Sequence, residues 1–254
     1  MPYLASTLAF GCSEAAPFNH TQVIRMTRAI PRRTVLASLV AVPAAAAFLS
    51  SCSDSGSAQA QTAPAAADAP QAAGTVDMAK LLEEGSLPEK VLGEADAPVT
   101  IVEYASMTCG HCANFHNNTL PAIKENYIDT GKARIIMREF PFDPRAEAGF
   151  MLARCADDKN FAMVDVLFKQ QQAWAGVENA RAALLQISRL AGFSQESFEA
   201  CLTDQKLLDD VRAVRARGAS EFGVDATPTF FINGNKYSGA LTVAEMSAII
   251  DSML

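Results

Sequence analysis

From Val99 to Ala105 the chain reads Val-Thr-Ile-Val-Glu-Tyr-Ala, an apolar and β-branched run whose length suits one buried strand. Ala113 to Tyr127 follows with helical spacing, Gly131 ends that segment, and Ala133 to Phe140 reads as a second strand before Pro141-Phe142-Asp143-Pro144 breaks it. From Arg145 to Phe222 the pattern is helical almost throughout: Ala146 to Ala156, Phe161 to Ala173, Ala180 to Ala191, Ser197 to Leu202 and Leu207 to Phe222. That is too long for a connection, so residues 145–222 form an inserted helical subdomain. Phe230 to Ile232, an Asn233-Gly234 or Gly234-Asn235 turn and Lys236 to Ser238 then make a hairpin, and Val243 to Met253 a closing helix. Ahead of the first main strand, a short helix is expected over Met78 to Glu84 and a brief extended piece before Gly93. The class is α/β, with strands at both ends of a helical insert.

The N-terminal quarter follows a different pattern. From Met26 come Arg28, Arg32 and Arg33, then an uncharged run from Thr34 to Leu49, then small residues, the order of a secretory signal. Met26 is therefore taken as the start of translation, with residues 1–25 an upstream extension. The run is short and interrupted by Pro43, which argues against a membrane span. Arg32-Arg33 also matches a twin-arginine signal. Leu49-Ser50-Ser51-Cys52 resembles a bacterial lipobox, which implies lipidation of Cys52; the alternative is cleavage after Ala58-Gln59-Ala60. Residues 53–74, rich in Ser, Ala, Gln and Pro, read as a disordered tether, leaving 75–254 as the folded domain. Either signal sends that domain out of the cytoplasm, on this reading to the periplasmic side of a bacterial membrane as a lipid-anchored protein, where disulfides persist.

Charge narrows the partners. The net charge is −7, and with the four arginines and single acid of residues 1–52 set aside, residues 53–254 hold 17 basic and 27 acidic groups. An acidic domain without a basic run is a poor nucleic-acid binder.

Between the first strand and its helix stands Cys109-Gly110-His111-Cys112. A cysteine at a helix start meets unpaired N–H groups and the positive end of the dipole, both of which favour a thiolate. His111, when protonated, adds a cation beside Cys112. An ordinary thiol with pKa ~8.5 is only about 3% ionised at pH 7, so this tuning makes Cys109 a nucleophile. Residues three apart on a helix are close enough for Cys112 to close a disulfide with Cys109 and open it by exchange. A zinc site would draw on His116 as the only other nearby ligand, and an inert bridge is the other rival; redox chemistry is favoured and no metal is expected. One reading of Glu103 puts it on a solvated face; the apolar Val99 and Ile101 at alternate positions favour the other, a buried carboxylate whose task is to take the proton of Cys112. Cys155 and Cys201, both in the insert of an exported domain, are assigned as a structural disulfide; two buried free thiols are the alternative.

Over roughly residues 88–254 the order of elements resembles the DsbA-type thioredoxin-fold oxidoreductases. The resemblance rests on Glu103 six residues before Cys109, the Cys109-to-Cys112 motif, Arg138-Glu139-Phe140-Pro141 and Thr227-Pro228-Thr229-Phe230. It implies a thioredoxin fold with a large inserted helical subdomain, no cofactor, and exchange in which Cys109 attacks or is attacked and Cys112 resolves. It also implies that Pro228 is cis, although an X–Pro bond read alone is trans, and that Thr227 binds extended substrate through its backbone. The implied partners are reduced or unfolded exported proteins and a membrane redox protein, with the domain itself a monomer. Gly110 stands where the best-known DsbA proteins have proline, and Gly-His instead resembles protein disulfide isomerases. A dithiol oxidase is the first reading, an isomerase or reductase kept as the dithiol the second, and a tethered chaperone-like binder the third.

Overall fold

The computed structural model describes residues 69–254; the expected signal, Cys52 and most of the expected tether lie outside them. Among the described residues six strands form one sheet, in the order Gly74–Thr75 (β1), Asn235–Ser238 (β6), Thr229–Ile232 (β5), Val99–Ala105 (β3), Ala133–Glu139 (β4) and Lys90–Leu92 (β2). The central strands are β3 (Val99–Ala105) and β4 (Ala133–Glu139), parallel to each other, with Ile101 opposite Ile135 and Glu103 opposite Met137. Both are buried along almost their whole length, as the apolar runs at their centres require of strands covered on two faces. β5 (Thr229–Ile232) pairs antiparallel with β3, β6 (Asn235–Ser238) returns beside β5, and β2 (Lys90–Leu92) closes the far edge against β4. The turn between β5 and β6 uses Asn233 at φ 44° and Gly234 at φ 89°, the positive angles of a two-residue hairpin.

The sheet begins earlier than expected. β1 (Gly74–Thr75) adds to the edge of β6, and the N–H of Ala73 donates to the Lys236 carbonyl at 2.8 Å. The tether assigned to residues 53–74 therefore ends inside the sheet. The unpaired backbone groups of an edge strand capture it through the main chain alone, which needs no apolar pattern in the sequence. Helix α1 is likewise shorter than expected, Met78–Leu81, capped by Asp77.

The helix after β3 starts at the motif and is not uniform. Alpha-helical turns at Gly110–Asn114 (α2) and Leu120–Ile123 (α3) alternate with π-helical turns at Phe115–Thr119 and Lys124–Ile128. Pro121 has no N–H to close the ordinary turn before it, and the Leu120 N–H instead reaches the Phe115 carbonyl.

The insert comprises α4 (Pro144–Cys155), α5 (Asn160–Lys169), α6 (Gln171–Trp174), α7 (Ala180–Leu190), α8 (Gln195–Thr203) and α9 (Gln205–Phe222). The helix expected over Phe161 to Ala173 breaks at Gln170, whose backbone leaves the helical region at φ −102°, ψ 15°. That break turns Gln171 and Trp174 inward, where both are buried. Cys155 and Cys201 are joined by a disulfide that ties the end of α4 to α8. The closing helix α10 (Val243–Asp251) starts from a Thr242/Glu245 capping box.

Strand alternation divides the packing. Val102 and Tyr104 face Leu81, Phe140 and Phe222 of α9 on one side of the sheet. Ile101 faces Phe115, Ile123 and α10 on the other, the side toward which Glu103 and Ala105 also point. The insert packs on Ala105, Met107 and Cys112 through Phe150, Phe168 and Trp174. No helix among the described residues is long and apolar enough to cross a membrane.

Candidate active site

Cys109 is the N-cap of α2, its backbone still extended at φ −77°, ψ 120°. Its sulfur is half-buried, while that of Cys112, one turn inside the helix, is fully buried. The Cys112 thiol donates to the Cys109 sulfur, and this is the largest of the effects that lower the Cys109 pKa from its ordinary value of 9.0 to about 5. Burial opposes the shift; the Thr227 side chain and the backbone N–H groups of Cys112 and His111 add to it. The backbone N–H groups at the helix start supply the smaller part of the lowering. His111 acts here through its backbone, and its imidazole is exposed.

Cys112 is driven the other way. Burial first, then donation to Cys109 and the negative charge of Glu103, raise its pKa well above 9.0. Its proton therefore stays in place until exchange demands it.

Glu103 is 0% exposed and lies beneath α2 on the face of β3 that carries the cysteines. Its carboxylate is held by a residue that had entered the sequence reading only as a possible metal ligand. His116 Nε2 sits 3.0 Å from Oε2 and 3.2 Å from Oε1 of Glu103. The spacing from Cys112 to His116, one helical turn, was the available signal, but it does not reveal which strand residue the ring meets.

The Thr227–Pro228 bond is cis. It brings the Thr227 carbonyl to 3.3 Å from the Cys109 sulfur, a contact to which the thiol donates and which the thiolate gives up. Thr227 is partly exposed and Pro228 buried, so the residue before the proline is the one open to an incoming chain.

Two further residues position the motif. Gln171 of α6 is buried and donates from Nε2 to the carbonyls of Met107 at 2.9 Å and Cys109 at 3.0 Å, pinning the loop to the insert. Thr108 donates to Asp143 at 2.5 Å, and the same carboxylate caps α4 by accepting from the N–H groups of Arg145 and Ala146. Neither was legible beforehand, since both bridge elements far apart in sequence. A cavity of about 250 Å³ opens on the opposite face of the sheet. The charged groups that line it pair with each other, Arg138 with Glu89 and Arg154 with Glu139, and it has no part in the cysteine chemistry.

The thioredoxin family model matches residues 86–252. Alpha-DsbA1 of Wolbachia pipientis is 34% identical and superposes with a TM-score of 0.64 over 68% of this chain and 94% of that one. The chain belongs to the DsbA-type thioredoxin-fold family. BdbD of Bacillus subtilis in its oxidised form, 18% identical, shares the fold with a TM-score of 0.58 over 74% of this chain and 98% of that one. A Rickettsia bellii relative described as "Putative protein-disulfide oxidoreductase" is 34% identical over 168 residues, 65% of this chain and 64% of the relative. The chain thus spans just under two thirds of that relative's length. In this family setting, Cys109, Cys112 and the cis Thr227–Pro228 bond lie at one end of the sheet, with Glu103 and His116 directly behind them.

Proposed function

We propose that the protein is a thiol:disulfide oxidoreductase that donates the Cys109–Cys112 disulfide to exported proteins. The observation that carries this reading is the opposed pair of thiols: a half-exposed Cys109 with a pKa of about 5 above a buried Cys112 that holds its proton. A client thiolate attacks the accessible sulfur of Cys109; the S–S bond to Cys112 breaks, and Cys112 leaves as a thiol by taking a proton from Glu103. The second client thiolate then attacks the client sulfur of this mixed disulfide, and Cys109 departs as a stable thiolate. Oxidation is favoured over reduction because whatever stabilises the Cys109 thiolate stabilises the dithiol form, which makes the disulfide the better oxidant. Thr227 would hold an extended client through its backbone beside Pro228, giving affinity with little sequence preference.

The setting follows from the same reading. A lipid-anchored domain at Cys52, on the periplasmic side of a bacterial membrane, would meet newly exported clients and be reoxidised by a membrane redox partner. The Gly110-His111 pair favours the second reading, an isomerase or reductase kept as the dithiol.

Reduction potential decides between them. A Cys109–Cys112 potential near ~−120 mV supports the oxidase; one near ~−180 mV supports the isomerase and one near ~−270 mV the reductase. The Cys112→Ser variant should accumulate a covalent complex with a reduced client peptide and Cys109→Ser should not; complexes trapped through Cys112 would reverse the two roles.

A further inference from the structure

Glu103 is fully buried, and among the described residues His116 makes every hydrogen bond its carboxylate receives. When the carboxyl group is ionised both of its oxygens can only accept, and Nε2 of the ring then carries the hydrogen. The ring is itself 4% exposed and locked in place. It stacks on Phe168 of the insert at 4.3 Å between centroids and 28° between planes, and meets Phe115 edge-on at 5.5 Å. It stands in the first π-helical turn, Phe115–Thr119, the kind of local widening that recurs where a side chain is re-aimed for a task.

The surroundings offer the carboxylate nothing else. The strand neighbours in register with Glu103 are Met137 on β4 and Phe230 on β5, and α5 presents Phe168. Among the described residues the titratable group that feels the Glu103 charge is Cys112. Without His116 the Glu103 carboxyl group would be buried with no hydrogen-bond partner among the described residues, a costly arrangement with nothing to hold it toward Cys112.

We propose that His116 is a positioning residue for disulfide exchange: its ring holds the buried Glu103 carboxyl group in place as the acceptor of the Cys112 proton when the ring closes and as its source when the ring opens. This deepens the exchange reading and rests on Cys112 being the second sulfur. In ring closure the Cys112 sulfur bonds to Cys109, the bond from Cys109 to the client sulfur breaks, the client leaves with the electron pair, and the Cys112 proton passes to Glu103. Ring opening reverses each step, so no further oxidant or reductant is required.

The test uses the reduced protein and dithiobis-nitrobenzoate as the probe. One nitrothiolate is released when Cys109 attacks and a second when Cys112 closes the ring, so the two steps are read separately across pH. His116→Phe keeps a ring against Phe168 and removes the donor. It should leave the first phase unchanged, slow the second about tenfold at pH 7, and displace its pH profile by about one unit to the alkaline side. His116→Gln restores a donor and should bring the second phase back to within about twofold of the wild type. If the Phe variant does not fold, His116→Leu carries the same expectation. In a Glu103→Gln background the change at His116 should add nothing. An unmoved profile, equal displacement by Phe and Gln, or a further slowing in the Glu103→Gln background would overturn the proposal. A wild type that releases no second nitrothiolate would overturn the exchange reading itself, and this proposal with it.

Discussion

Cys109 and Cys112 stand three residues apart in one helix, yet their environments drive their thiols in opposite directions. Alkylation of reduced Cys109 should show a midpoint near pH 5, with about 99% thiolate at pH 7. The largest contribution to that value is the thiol of Cys112, so Cys112→Ala should move the midpoint upward toward that of an ordinary thiol. A midpoint unchanged in Cys112→Ala would assign the tuning to Thr227 and the helix start. These two sulfurs were legible in the sequence because helix position and three-residue spacing are local properties. Glu103 was legible because a carboxylate in a two-sided strand violates the pattern around it. His116 was not, because its meaning depends on Glu103 arriving from a strand 13 residues earlier in the chain.

At the scale of elements, close approach decides what each helix tolerates. Gly218 lies inside α9, and a Cβ there would come within 2.7 Å of the Tyr104 ring. Alanine is worth about 1 kcal/mol over glycine in a free helix, but overpacking of this kind costs about 1–3 kcal/mol. The ring has little freedom to yield, since its hydroxyl accepts from Arg138 Nη1 at 2.9 Å. Gly218→Ala should therefore lower the midpoint of urea unfolding; a raised midpoint would mean that α9 shifts freely over β3. Beneath the same helix Arg154 donates to Glu139 and to the Pro88 carbonyl, with both charged side chains buried. Arg154→Met strands a buried carboxylate and should cost about 3–5 kcal/mol, of which a second change, Glu139→Gln, should recover most. Helix and strand periods announced nearly every element, because each buries a face of its own. The edge strand at Gly74–Thr75 and the first π-helical turn were not announced, because backbone pairing and the missing N–H of Pro121 set them rather than any apolar period.

For the whole molecule, two kinds of cysteine chemistry act on stability by separate routes. The Cys155–Cys201 disulfide closes a loop of 46 residues within the insert, worth about 4 kcal/mol in the chain-entropy model and independent of pH. The motif instead couples stability to pH through Cys109. In the reduced protein its pKa is about 5 when folded and about 9.0 when unfolded, so between those values the unfolded chain binds more protons and folding grows more favourable as pH rises. The gain is complete only near pH 9 and is lost as pH falls through 5. Cys112, whose folded pKa is raised, is protonated in both states below pH 9 and contributes no slope in that window; above it the group works against the folded state. Cys109→Ser removes the thiolate and keeps the rest, so the unfolding free energy of the reduced wild type minus that of the variant isolates the effect. That difference should be smallest at pH 4.5, rise through pH 7 and level off near pH 9, whereas the same pair compared after oxidation of the wild type should show no such rise. By the same linkage, stabilising the thiolate weakens the disulfide relative to the dithiol, so the slope measured in urea and the reduction potential should report one coupling. A difference that stays flat between pH 5 and 9 would mean that the thiolate gains nothing from the fold, and the oxidase reading would lose its physical basis.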